Sequence, residues 1–230
     1  MAKSHPRRDA APTLGSCAPG YPLRVPTLDE IRRALDAREP RTLPTRGKSV
    51  AGVAMVLRGD PARPEVLFIE RAKHPADPWS GHMAFPGGRV DPGDPHARAA
   101  AERETLEEVR LSLADAASLG RLDDLAGRHA GRPVGMVISA FVYHVERHAP
   151  LAPNQEVEEA LWLPLSDLLD PARHVDYAWP RFPGRTLPGI VVGHPERHVV
   201  WGLTYRFLEG FFETLKVTLP RSSIGSRGKP

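Results

Sequence analysis

The chain has 230 residues, of which 41% are hydrophobic and 26% charged, a balance that fits a globular protein with a full core. A net charge of +3 invites a nucleic-acid reading. The basic excess sits at the ends, however: +3 over residues 1–25 and +4 over residues 214–230 leave −4 for the body, which excludes a basic nucleic-acid-tracking surface there.

One cysteine, Cys17, excludes an intramolecular disulfide and a cysteine zinc cluster, and no stretch approaches the roughly 20 apolar residues that span a bilayer. No apolar run follows the basic start to make a secretory signal, so a cytoplasmic protein is expected. Residues 1–25, rich in Pro, Gly, Ser and Arg, predict a mobile basic leader. A single domain is expected over 26–216, with a mobile basic tail over 217–230.

Thr27-Leu28-Asp29-Glu30 is a capping-box pattern, and Ile31 and Leu35 continue an apolar stripe, so a helix runs to about Ala37. Pro40 ends it. Residues 49–57 (SVAGVAMVL) and 65–71 (EVLFIER) read as buried strands. Gly-x-Gly-x-x-Gly never follows a strand, which excludes a doubly wound dinucleotide fold. A mixed sheet with helices on its faces is the expected architecture.

The next stretch carries the chemistry. Met83-Ala84-Phe85-Pro86-Gly87-Gly88 pairs two glycines that let the backbone approach a ligand closely. Asp94 reads as an N-cap and Pro95 as the first residue of a helix that continues through Val109. At 100° per residue, Glu104, Glu107 and Glu108 share an arc of about 100°, with the small Ala97, Ala100 and Ala101 on the same side. Three such carboxylates repel one another, and Arg103 alone does not balance them. Oxygen ligands of this kind suit a hard cation, Mg²⁺ or Mn²⁺; the plain alternative is a solvated acidic stripe. Arg71 fits a salt bridge to a loop carboxylate or a diphosphate contact. Phe85 and Trp79 fit core packing or the stacking of a base.

Downstream, residues 119–124 predict a short strand and turn, and 137–145 (VISAFVYHV) a strand with Phe141 and Tyr143 on one face. Glu156 and Glu158 precede a strand at 160–163, and a short helix follows at 165–169. Residues 170–198 read as a long excursion, a lid or specificity element. Within it His194 and His198 are four apart, but Pro195 intervenes and no zinc-protease glutamate accompanies them. Residues 200–215 predict a closing helix on the sheet, its exposed remainder available for a homodimer contact.

The loop and helix together resemble the Nudix hydrolases, whose signature is a Gly, an acidic residue and then Arg-Glu-x-x-Glu-Glu. Gly88, Asp94, Arg103, Glu104, Glu107 and Glu108 occupy the matching positions. Asp94 stands where Glu is usual, Arg110 where the signature ends in Gly, and one extra residue separates Gly88 from Arg103. That extension, with Arg71 and Gly81-His82-Met83-Ala84-Phe85-Pro86-Gly87-Gly88, is similar to the branch that includes the coenzyme A diphosphatases. Residues 75–80 read Pro-Ala-Asp-Pro-Trp-Ser where that branch carries further basic residues.

The resemblance implies a Nudix-like α/β/α sandwich of the α+β kind with a mixed β-sheet between helices. It implies a pyrophosphohydrolase that uses Mg²⁺ or Mn²⁺ to cleave the P–O–P linkage of a small nucleoside diphosphate derivative. Arg103, Glu104, Glu107 and Glu108 are its catalytic candidates. Glu104 and Glu108 form the best pair of metal ligands, with Glu107 as a third or as base. Arg71, Phe85, Gly87, Gly88 and Arg121 are the substrate-binding candidates, and Glu156 and Glu158 are positional candidates for a late-loop acid that completes the metal shell or acts as base, a solvated charge run being the plain alternative. The substrate divides between a coenzyme A derivative, ADP-ribose or a nucleotide sugar, and a nucleoside triphosphate. A catalytically silent nucleotide-sensing module is the rival from another class.

Overall fold

The computed structural model describes residues 24–73, 80–129, 132–147, 150–179, 184 and 186–222, with residues 128–129 and 132–133 described by backbone alone. The expected leader lies outside these residues up to position 23, as do Cys17, Trp79, Phe182 and the tail beyond residue 222.

The first helix, α1 (Leu28–Asp36), forms where its cap dictates. The Thr27 hydroxyl accepts from the Glu30 amide at 3.4 Å, and the Glu30 carboxylate accepts from the Thr27 amide at 3.0 Å. Leu28, Ile31 and Leu35 turn inward.

Eight strands follow in one sheet: β1 (Ser49–Arg58), β2 (Glu65–Arg71), β3 (Met83–Ala84), β4 (Gly87–Arg89), β5 (Ala117–Arg121), β6 (Leu125–His129), β7 (Arg132–Val145) and β8 (Val157–Pro164). β1 and β7 run parallel from Ser49↔Met136 to Arg58↔Val145, and the other pairs are antiparallel, so the sheet is mixed. β1 and β2 touch only at Leu57↔Val66 and Arg58↔Glu65, then diverge. The glycine loop fills the opening: β3 pairs with the far end of β2, and β4 with the near end of β1. The sheet itself therefore holds this loop at both ends.

Alternation along β1 divides the core. Ala51, Met55 and Leu57 pack with α1 and with Phe207, Leu208, Phe211 and Phe212 of α4 (Gly202–Thr214), while Ala54 and Val56 pack with Ala101 and Val109 of α2 (Ala97–Val109). Helices thus cover both faces, the α/β/α sandwich that was expected. Each large apolar side chain buried this way stabilises the fold by about 1.5–3 kcal/mol. On the α2 face, a Cβ at Gly52 would lie 1.8 Å from the Ala97 carbonyl oxygen, so this glycine and the buried Ala100 and Ala101 set how closely the helix lies on the sheet.

The structure corrects several boundaries. α2 starts at Ala97 rather than Pro95: His96 is the N-cap, its Nδ1 accepting from the Ala99 amide at 3.1 Å. Asp94 is spent on the Asp91 amide and on Arg103 instead. β7 begins at Arg132 and forms a hairpin with β6, a strand the sequence reading lacked. α3 (Leu165–Leu168) forms as expected.

The 170–198 excursion contains a 3₁₀ turn (Pro171–Arg173), β9 (His174–Ala178) and β10 (Thr186–Val191). With β11 (Val199–Trp201) these make a second, three-stranded antiparallel sheet in the order β11-β10-β9. The closing helix accordingly starts at Gly202, because Val200 is committed to β11. No helix among the described residues is long and apolar enough to cross a membrane.

Candidate active site

Three strands and one helix converge on the glycine loop. The Ala54 amide donates to the Pro86 carbonyl at 2.8 Å, and Gly87 and Gly88 lie opposite Val53 and Gly52. Gly87 has φ 148°, and a Cβ there would meet the Gly52 oxygen at 2.3 Å, so both conformation and space require glycine. A Cβ at Gly88 would lie 2.2 Å from Glu104 Oε1, which shows how directly that carboxylate rests on the loop. Phe85 is buried and stacked on Phe68 with ring centroids 5.4 Å apart. It anchors the loop from the core side, so of its two expected roles the structure shows core packing rather than the substrate-binding one.

Glu108 is the buried centre of this arrangement. The Gly87 amide donates to its Oε2 at 2.9 Å, and an Arg71 Nη1 stands 3.6 Å from Oε1. Burial pushes its carboxyl up to about 8; the Gly87 amide and Arg71 oppose that, whereas the charges of Glu104 and Glu156 add to it. Burial likewise raises the half-buried Glu104, with Arg103 opposing and Glu107 and Glu156 reinforcing. Four acidic groups thus repel one another across a partly desolvated space.

Arg103 ties the loop to the helix. Its guanidinium reaches Asp94 at 3.0 Å, Glu104 at 3.1 Å, Glu107 at 3.0 Å and the Arg89 carbonyl at 3.2 Å. Its hydrogen bonds hold the Asp94 carboxyl below the usual carboxylate range. Glu107, 52% exposed, points outward along this ion pair.

Glu156 arrives from the β7–β8 connection. Ala152 and Asn154 amides donate to the Val109 and Glu108 carbonyls at the end of α2, and the Asn154 side chain accepts from the Glu156 amide at 2.8 Å. Its position in the chain was the only sequence signal for this residue.

Arg121 belongs to a different cluster. It pairs with Asp124 and donates to Ser139 Oγ at 3.1 Å, and Asp124 also accepts from the Leu43 amide at 2.9 Å. The hydrogen bonds and ion pairs described for Arg121 stay within that cluster and include none of Glu104, Glu107 and Glu108.

Among the described residues, the His and carboxylate atoms that gather within 4.8 Å of one another are those of Glu70, Glu159 and His198, not Glu104, Glu107 and Glu108. The chemistry of the two groups nonetheless favours the helix for a cation. His198 Nδ1 accepts the His194 amide at 3.0 Å, so its proton sits on Nε2, the atom that faces Glu70 and Glu159. Arg197 already stands 2.5 Å from Glu70. Glu70 thus has a countercharge within the chain, and the cluster was missed in the sequence. Its signal was an acidic residue on the same face of β2 as the buried Val66 and Phe68.

Around Glu108, by contrast, the buried carboxylate and its acidic neighbours fit a divalent cation. With Glu104 drawn to Arg103 and Glu107 turned outward, the three expected ligands stand apart; a cation supplies the attraction that gathers such groups.

A family model described as NUDIX domain matches residues 48–182. The chain is 36% identical to an uncharacterized protein of Schizosaccharomyces pombe over 57% of this chain and 44% of that one. It is 31% identical to a peroxisomal coenzyme A diphosphatase of Caenorhabditis elegans over 65% of this chain and 63% of that one. It is 30% identical to a mitochondrial coenzyme A diphosphatase of Mus musculus over 84% and 89%. The match thus spans less than two thirds of the length of the first two relatives. The names of the latter two place them in organelles rather than in the cytoplasm.

Proposed function

The chain belongs to the NUDIX domain family, and from that premise we propose that it is a metal-dependent hydrolase of the P–O–P linkage in a nucleoside diphosphate derivative. One observation carries the reading: Glu108, buried against the Gly87 amide, shares its space with Glu104 and Glu156, with Arg71 at 3.6 Å as the cation beside it. Glu104 and Glu108 would hold Mg²⁺ or Mn²⁺, with Glu156 or Glu107 as a further oxygen donor. A divalent ion bound there supplies neutralisation of the diphosphate and a more acidic bound water.

The chain's own residues do the rest. Gly87 fixes one Glu108 oxygen through its amide, and Gly88 leaves room for the Glu104 carboxylate. Arg103 holds the loop on the helix and keeps Glu107 turned aside as a base for water. Arg71, beside Glu108, is placed to meet a diphosphate oxygen.

Coenzyme A or a derivative is the preferred substrate, supported by the Phe-Pro-Gly-Gly context and by relatives named for that activity. ADP-ribose or a nucleotide sugar is the second reading, favoured by the absence of Lys and Arg from residues 75–80, since a 3′-phosphate asks for cationic partners. The intact acidic cluster speaks against a silent sensing module.

The test is a panel of coenzyme A, ADP-ribose, UDP-glucose and the nucleoside triphosphates, each with Mg²⁺ or Mn²⁺. We expect mononucleotide or 3′,5′-ADP release that EDTA abolishes. A folded protein that cleaves none of them with either ion would overturn the reading.

A further inference from the structure

The second sheet brings an aromatic cluster to the edge of the site. The Arg71 amide donates to the His82 carbonyl and the Gly81 amide to the Arg71 carbonyl, each at 3.1 Å, so His82 is the cross-strand neighbour of the arginine that faces Glu108. The His82 ring meets Trp201 at 4.6 Å and 62°, and Trp201 in turn stacks on Tyr177 at 5.1 Å and 29°. Trp179 lies behind them, buried, 5.0 Å from Trp201.

The four rings differ in exposure. Phe211 and Phe212, which only pack, are fully buried, whereas His82, Tyr177 and Trp201 each keep part of their surface in water. Partly exposed rings beside the strand end that carries Arg71 offer π surface to a ligand there.

Their position is also fixed with unusual care for a peripheral sheet. His198 and Arg197, just ahead of β11, grip Glu70, the residue next to Arg71. On the far side, the Thr204 hydroxyl donates to the Met83 carbonyl at 3.4 Å. Glu70 and His198 are buried in this cluster and Arg197 and Glu159 half exposed, and together they tie the start of β11, which carries Trp201, to the end of β2, which carries Arg71. With Phe85 buried in the core, these partly exposed rings, joined to Arg71 through its cross-strand neighbour His82, are aromatic surface at this end of β2.

We propose that His82, Tyr177 and Trp201 form a stacking wall that receives the planar base of the substrate. This rests on the nucleoside diphosphate reading: Arg71 and the acidic cluster engage the diphosphate, and the second sheet selects a substrate that carries a base.

Titration of the full chain's tryptophan fluorescence in EDTA tests this, with AMP as probe and ribose 5-phosphate as its base-free counterpart. Saturable quenching by AMP, at least tenfold tighter than by ribose 5-phosphate, is expected for one base–aromatic stack. Tyr177→Leu should weaken AMP about tenfold and leave ribose 5-phosphate unchanged, while Tyr177→Phe keeps AMP affinity. His82→Asn, on a separate segment, repeats the test should Tyr177→Leu fail to fold.

A purely packing role predicts no preference for AMP over ribose 5-phosphate, and that result overturns the proposal, as does unchanged AMP affinity in the folded variants. The titration needs neither turnover nor metal. AMP binding without hydrolysis of any diphosphate therefore supports the wall and sinks only the hydrolase reading; hydrolysis without a preference for AMP sinks only the wall.

Discussion

Two buried glutamates on neighbouring elements have opposite surroundings. Glu70 on β2 is 4% exposed, with Arg197 at 2.5 Å and the Nε2 of His198 at 3.3 Å. Glu108 on α2 is 1% exposed, with a backbone amide at 2.9 Å, the Arg71 guanidinium at 3.6 Å, and Glu104 and Glu156 as neighbouring charges. The first carboxylate has its countercharge encoded in the chain. The second is paired with too little positive charge, and burial drives it toward neutrality until a cation arrives. Burial of an acid therefore does not by itself mark a site; burial among other acids with only a partial countercharge does.

The sharpest way to break this contrast is Glu108→Gln. If Glu108 holds the divalent ion, several kcal/mol of transition-state stabilisation go with its charge, a loss on the order of 10²–10⁴ in kcat. Stability should hold or rise, because a neutral amide replaces a buried carboxylate and keeps a partner for the Gly87 amide. Steady-state kinetics and thermal melts of the same preparation check both signs. Near-normal turnover with Mg²⁺ would remove Glu108 from the ligand set.

A second test uses pH on the metal-free protein. The Glu108 carboxyl is raised from 4.5 to about 8 in the folded state, so its contribution to stability is fully present below pH 4.5 and is lost as pH rises through about 8. The loss is roughly 3–5 kcal/mol at most. In EDTA the Tm should therefore fall from pH 5 to pH 8.5, and the fall should shrink in Glu108→Gln to the part that Glu104 contributes. Added Mg²⁺ should restore Tm most at the alkaline end, where the carboxylate form predominates. A Tm in EDTA that rises over this range would contradict the under-compensated state.

The two clusters were not equally legible. Glu104, Glu107, Glu108, Arg103 and the glycine pair lie within 22 residues and carry a local pattern, so helical geometry was enough to put the glutamates on one side of α2, though not to say how far apart their carboxylates stand. Strands 49–57 and 65–71 were equally plain, since β-branched apolar runs leave few alternatives. The Glu70 cluster joins residues 127 positions apart, and only the second sheet brings them together. That sheet was hidden because its strands are short and carry Asp176 and Pro188, which read as loop. Asp94 fitted an N-cap from its neighbours; its use by Arg103, nine residues on, required the loop to fold back.

Glu70→Gln has the smallest expected effect and tests the other half of the contrast. The amide can still accept from Arg197 or His198, but the charge assistance is gone, a cost of about 1–3 kcal/mol. Tm should fall accordingly, while kcat for a base-free diphosphate stays within a few-fold, because Glu70 neutralises residues of the chain and not a ligand. Discrimination should suffer more than rate: with the tie at residues 197–198 weakened, Trp201 is held less firmly against Arg71, so KM for a base-bearing diphosphate rises. If instead Glu70→Gln removed turnover as completely as Glu108→Gln, the Glu70 cluster would be a working part of the metal site. Calling one carboxylate structural and the other functional would then be wrong.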